Sequence, residues 1–196
     1  EPVLPEQRDP ISVMVYAFCA WESTSGKALA QSANIAAGLE DWNDLRVSRP
    51  EELADLAGFK DARRIERSQR MRRALHGIYL REHETSLESL HDMKKRDVRD
   101  YIETLDGMVP FVANFVLMHC FGIHGVPVDS QVQALLLEKD AVDIGADLEE
   151  VSGWVGRQVS ADEAPATAAR LQAWTDAESA RLEKARVTAE RQQAQT

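Results

Sequence analysis

Strand signals are nearly absent from this chain of 196 residues: alternating β-branched runs do not occur, so a sheet-based fold is not expected. Cysteine is scarce. Cys19 and Cys120 both sit inside apolar runs, where they act as small core residues. Two such cysteines build neither a disulfide framework nor a metal site, and a reducing, cytoplasmic setting is the expectation. No apolar run reaches the ~18–20 residues that a membrane helix needs. The first ten residues, EPVLPEQRDP, have no apolar core and set Glu1, Glu6 and Asp9 against Arg8, so a signal peptide is not expected there. There is no internal repeat and no low-complexity linker.

What is present is an ordinary globular balance, 44% hydrophobic and 29% charged, with a net charge of −10. The charge is unevenly placed. Residues 1–59 carry −6, residues 60–99 carry +5, and residues 100–196 carry −9. A polyanion is repelled by the molecule as a whole yet can be steered to one basic segment. Within it, Arg63, Arg64, Arg67, Arg70, Arg72 and Arg73 either track a phosphate backbone or form a solvated face paired with Asp61 and Glu66.

Apolar spacings of three and four predict helices over Ile11–Ala20, Ser25–Gly38, Pro50–Leu56, Asp61–Glu82, Ser86–Leu90, Lys94–Thr104, Pro110–Cys120 and Ser130–Glu138. Asp162–Arg191 is rich in Ala, Glu, Arg and Gln, and Leu171, Trp174 and Leu182 form a thin apolar seam. The seam is expected to dock as far as Leu182, with a frayed tail beyond it. The fold class is all-α, with nine or ten short helices.

One carboxylate stands out. Asp129 follows the greasiest stretch of the chain, in Gly125-Val126-Pro127-Val128-Asp129, and begins a new helix. Upstream, Leu105-Asp106-Gly107-Met108-Val109-Pro110-Phe111 makes a small hairpin between two helices, and Ala113 follows where the helices must approach closely. Such a hairpin can present backbone N–H groups to a DNA phosphate without reading sequence. A plain αα-turn is the alternative.

Taken with Cys120-Phe121-Gly122 and Val128-Asp129-Ser130-Gln131 at the matching distance, the hairpin resembles the helix-hairpin-helix DNA glycosylase superfamily, to which endonuclease III belongs. Pro10-Ile11, Ala20-Trp21-Glu22-Ser23 and Ser86–Leu90 extend the resemblance over roughly residues 10–137. It implies a two-lobed helical fold with a cleft between the lobes. The expected divisions are an N-terminal segment (1–10), a helical barrel lobe (11–125) holding the helix-hairpin-helix (about 98–121), and a C-terminal lobe (126–196). It also implies that Asp129 is the catalytic carboxylate, which opposes the positive charge developing on the sugar as the glycosidic bond breaks. Gly107, Met108, Val109 and Phe111 on the hairpin, Trp21, and Ser130 and Gln131 become the candidate DNA-binding residues. The bland reading of Asp129 is a helix N-cap.

The chain departs from the family at four places. Bifunctional members carry a lysine where Phe111 stands, and without that amine no Schiff base forms, so an endonuclease III-type lyase is excluded. The second hairpin glycine is Val109, and Pro110 removes one donor. Trp21 replaces the glutamine that fills the gap left by a flipped base, and serves either as a wedge or as a plug. The four-cysteine iron–sulfur module is missing. No cofactor and no metal are expected; no Cys or second carboxylate stands near His119 and His124 at metal-ligand spacing. Three readings follow. The first is a monofunctional base-excision glycosylase acting on damaged or mispaired bases, with weak, backbone-mediated binding of duplex DNA. The second is a non-catalytic module that binds DNA or, through its C-terminal helix, a protein. The third is an unrelated helical bundle.

Overall fold

A computed structural model describes residues 9–193. Ten α-helices follow one another among the described residues, with no β-strand. They are α1 (Pro10–Ala20), α2 (Ser25–Gly38), α3 (Trp42–Val47), α4 (Pro50–Ala57), α5 (Arg64–Glu82), α6 (Lys95–Glu103), α7 (Pro110–Phe121), α8 (Ser130–Glu138), α9 (Leu148–Gln158) and α10 (Ala164–Gln193). A 3-10 turn at Glu88–Asp92 stands where a short helix is predicted over Ser86–Leu90. No helix is long and apolar enough to cross a membrane among the described residues. Most of the N-terminal segment 1–10 lies outside the described residues.

The hydrophobic residues gather into two clusters. The larger runs from Ile11 to Ile123 and centres on α1, which buries every residue except Ser12 and packs against α2, α5 and α7. Asp9 starts α1 by accepting from the Ile11 and Ser12 amides (3.2 and 3.0 Å), with Pro10 at a position that has no N–H to satisfy. The smaller cluster joins Met118, Val126, Val128 and Val132 to Val151 and Val155 of α9 and Ala164 and Ala168 of α10. The link between α7 and α8 is extended and pinned from outside. Lys95 Nζ donates to the Gly122 carbonyl (2.8 Å), and His124 Nε2 lies 2.9 Å from the Gly156 carbonyl of α9.

Two helices escape the apolar pattern. In α3 only Leu45 is buried, too little periodicity to register, although Asp41 caps it through the Asn43 and Asp44 amides. The signal for α9 is local rather than periodic: Asp147 and Glu150 form a reciprocal capping box. The expected end of the chain also differs. Leu171 and Trp174 are half-buried as the seam predicts, but Leu182 is 57% exposed, and the helix carries on through Gln193 with no frayed stretch up to that point. Ion pairs three or four apart support it: Arg181 with Glu178, and Arg186 with Glu183 and Glu190.

Candidate active site

Asp129 begins α8 with only 4% of its surface exposed. Its Oδ1 accepts from the amides of Gln131 and Val132 (both 3.1 Å), as an N-cap does. Its Oδ2 accepts from the Glu22 amide, 3.0 Å away in the first lobe. Glu22 reaches the other way. Its carboxylate takes the Ser130 amide (3.1 Å) and the Ser130 hydroxyl (2.5 Å). The backbone of Glu22 is left-handed (φ +56°), unusual for a residue with a side chain, and this kink turns its N–H onto Asp129. Two carboxylates therefore saturate the first three amides of α8. Burial pushes the Asp129 carboxyl up, the amides pull it down and the charge of Glu22 raises it further; the net position is above 3.8.

The corner that carries Glu22 is fixed by a buried arginine. Arg67 of α5 donates to the Trp21 carbonyl (2.9 Å) and to Asp61 (2.8 Å), and lies over the Phe59 ring. The Trp21 indole is 7% exposed, with the Arg63 and Arg70 guanidinium groups 5.2 and 5.5 Å from its ring. It is packed rather than projecting, which is the plug arrangement of the two that the sequence left open. Arg63 and Arg70 are both paired with Glu66, as the solvated-face reading predicts for that part of the helix.

Beside Asp129 the two lobes leave a cavity of about 20 Å³. Tyr16, Phe111 and Phe115 form its aromatic wall, and Phe115 meets the His119 ring at a tilt of 47° with ring centroids 4.4 Å apart. Residues of α10, among them Pro165, Leu171 and Gln172, close it. Asp176 of the same helix accepts from the Ser25 amide (3.0 Å) and from the Ser25 hydroxyl, holding α10 on the start of α2. Phe111 thus shares a wall with Asp129. The other hairpin residues lie elsewhere.

That hairpin connects α6 to α7 and leans on α5. Gly107 has φ +82°, and a Cβ there would sit 2.6 Å from the Arg70 carbonyl oxygen, so both its backbone and the tight approach require glycine. The amide of Met108 is taken by the Leu105 carbonyl (3.1 Å), and Pro110 has none. Val109 is buried. Hence the hairpin offers a phosphate fewer amides than its sequence outline promises. Ser130 and Gln131 likewise have their amides engaged, by Glu22 and Asp129. What sequence reasoning missed is the role of Glu22: in the sequence it is only part of Ala20-Trp21-Glu22-Ser23, and its left-handed backbone is invisible there. Among the described residues, no three His, Cys, Asp or Glu side chains converge in a way that could hold a metal.

Known structures share this architecture. Endonuclease III, in a trapped covalent intermediate with DNA, has a TM-score of 0.66 at 15% identity, over 87% of this chain and 75% of that one. The 3-methyladenine DNA glycosylase of H. pylori, bound to 1,N6-ethenoadenine, has a TM-score of 0.57 at 16% identity over 93% and 88%. The fold is that of the helix-hairpin-helix DNA glycosylases. The 8-oxoguanine glycosylase/lyase of Clostridium acetobutylicum has the glycosylase fold as well, with a TM-score of 0.60 at 14% identity; 85% of this chain covers 60% of that one. No family model matches the sequence, and no curated protein matches it either. Asp129 and Phe111 line the cavity where residues of the two hydrophobic clusters meet.

Proposed function

We propose that the chain is a monofunctional DNA glycosylase of base-excision repair, releasing a damaged or mispaired base from duplex DNA without cutting the strand. The observation that carries this reading is the buried carboxylate of Asp129, held by three amides against an aromatic wall of Tyr16, Phe111 and Phe115. An aromatic wall stacks on a base, and a fixed carboxylate opposes the cation that forms at C1′ of the sugar. In this scheme the C1′–N bond breaks with its electron pair leaving on the base nitrogen, a water oxygen adds to C1′, a proton of that water passes to Asp129, and the departing base takes up one proton through solvent. The raised affinity of the buried carboxyl for a proton suits it to that transfer. Phe111 supplies no amine, so no imine forms and the backbone stays intact. A cavity of about 20 Å³ holds little more than one water, so a base enters only when α10 swings away from Phe111 and Asp129.

The closed cavity and the three amides already held by Asp129 favour a second reading, a non-catalytic relative that binds DNA through the same fold. In that reading the exposed distal half of α10 is the surface for a protein partner. One experiment separates the two. Duplexes carrying alkylated, oxidised, deaminated or mispaired bases are incubated with the protein and then treated with alkali, which cuts wherever a base has been lost. Alkali-dependent breaks that vanish in Asp129→Asn support the enzyme. Bound but unaltered duplexes support the module. A borohydride-trapped covalent adduct would overturn the monofunctional assignment.

A further inference from the structure

We infer that the groove between α3 and α5, beside the hairpin, binds the phosphodiester backbone of the DNA. This rests on the DNA-binding part of the reading above, common to its enzyme and module forms. Arg46, Arg72, Arg73 and His76 line a groove of about 520 Å³, with Asp106 its single acid. The arginines nearer the Trp21 corner are neutralised: Arg63 and Arg70 by Glu66, Arg64 by Asp55, Arg67 by Asp61. Among the described residues, no carboxylate lies within ion-pairing distance of Arg46, Arg72 or Arg73. Arg72 also buries its Nε without a hydrogen-bond acceptor, so no protein group holds its guanidinium through that nitrogen. In a molecule of net charge −10, three unneutralised guanidinium groups in one groove make a concentrated positive field.

Position supports the same occupant. Gly107 packs directly on Arg70 and Arg73, so the groove continues the hairpin's surface. On its other flank the hairpin faces a second groove of about 700 Å³ lined by Glu103 and Glu149, which repels phosphate. A duplex meeting the hairpin is therefore drawn to the arginine side. There the contacts that Met108 and Pro110 fail to supply as amides come from side chains instead. Val47 and Leu80, 57% and 63% exposed, give the apolar faces on which deoxyribose packs. Arginine in such a groove contacts phosphate without selecting a base.

The test measures binding of a labelled duplex, with an abasic analogue at its centre, across a salt series. The full chain is compared with Arg72→Gln/Arg73→Gln and with Lys139→Gln/Lys184→Gln, which removes equal charge from α8's end and α10. Losing two phosphate contacts should weaken binding at low salt by about tenfold or more and make the log–log salt slope shallower by about 2. The lysine pair should change neither. Arg73→Glu, at an exposed site with no ion pair, repeats the test if the double variant is unfolded by circular dichroism. Wild-type binding retained in the arginine variants overturns the groove while leaving DNA binding in place. Equal losses in both doubles overturn it too, as an effect of bulk charge. Displacement of the duplex by polyglutamate as readily as by unlabelled DNA reassigns the groove to an acidic protein. Absence of any wild-type binding at low salt refutes the DNA reading itself.

Discussion

Replacing Asp129 with alanine removes the acceptor for three backbone N–H groups at once, those of Gln131, Val132 and Glu22. Losing an N-cap costs about 0.5–2 kcal/mol. Stranding the Glu22 amide where the lobes meet costs about 1–3 kcal/mol more. Against this, the variant no longer buries a carboxyl whose charged form is disfavoured there. The balance is a loss of about 2–4 kcal/mol, which in a chain of this size lowers Tm by about 5–15 °C. Asparagine behaves differently. Its single carbonyl oxygen can keep the Gln131 and Val132 amides, but its NH2 then meets the Glu22 N–H, donor against donor. The expected loss is therefore about 1–2 kcal/mol, smaller than for alanine. Chemistry should follow the opposite rule. Both variants lose the charge opposing the sugar cation, so base release falls by about 10²–10³ in either, far more than a modest loss of stability explains. Thermal and urea melts, with single-turnover base release on the same preparations, give all the numbers. An alanine variant melting within about 1 °C of wild type would refute the capping argument. Unchanged base release in asparagine would reduce Asp129 to a helix cap.

Because the folded pKa of Asp129 lies above its unfolded value of 3.8, its contribution to stability is fully present below 3.8 and is lost as pH rises through the folded value. Base release should rise with pH through the same folded value as the carboxylate ionises, and this acid limb should be missing from the residual activity of Asp129→Asn. Gly107→Ala forces a Cβ to 2.6 Å from the Arg70 carbonyl in a left-handed backbone, and should cost about 1–3 kcal/mol in a urea melt; a neutral result would show that the hairpin can lift off α5 freely. Asp176→Ala removes the acceptor that clasps α10 to Ser25, so amide exchange along residues 164–176 should quicken and base release should speed up severalfold. Slower release with faster exchange would show that α10 forms part of the site rather than its closure.

Local chemistry wrote much of this molecule into its sequence. Pro10, Pro50, Pro110 and Asp129 mark helix starts where the structure has them, because capping and proline geometry act within a few residues. The position of Asp129, one loop beyond the hairpin helix, was legible for the same reason, as was the lack of an amine at Phe111. Other features depend on residues far apart in the chain. Glu22 and Asp129 are 107 positions apart, and only the packing of α1 against α7 brings the first lobe's corner to the start of α8. The closed cavity depends on α10 crossing Phe111, which a thin seam of Leu171 and Trp174 does not specify. Which arginines of α5 are neutralised also depends on the partners that folding sets beside each turn. Asp61 and Glu66 take those near Trp21, and Arg72 and Arg73 are left to the groove. Sequence determined the helices and the type of each charge. Tertiary structure decided which charges meet, because Coulomb and hydrogen-bond energies depend on distances that chain position does not fix.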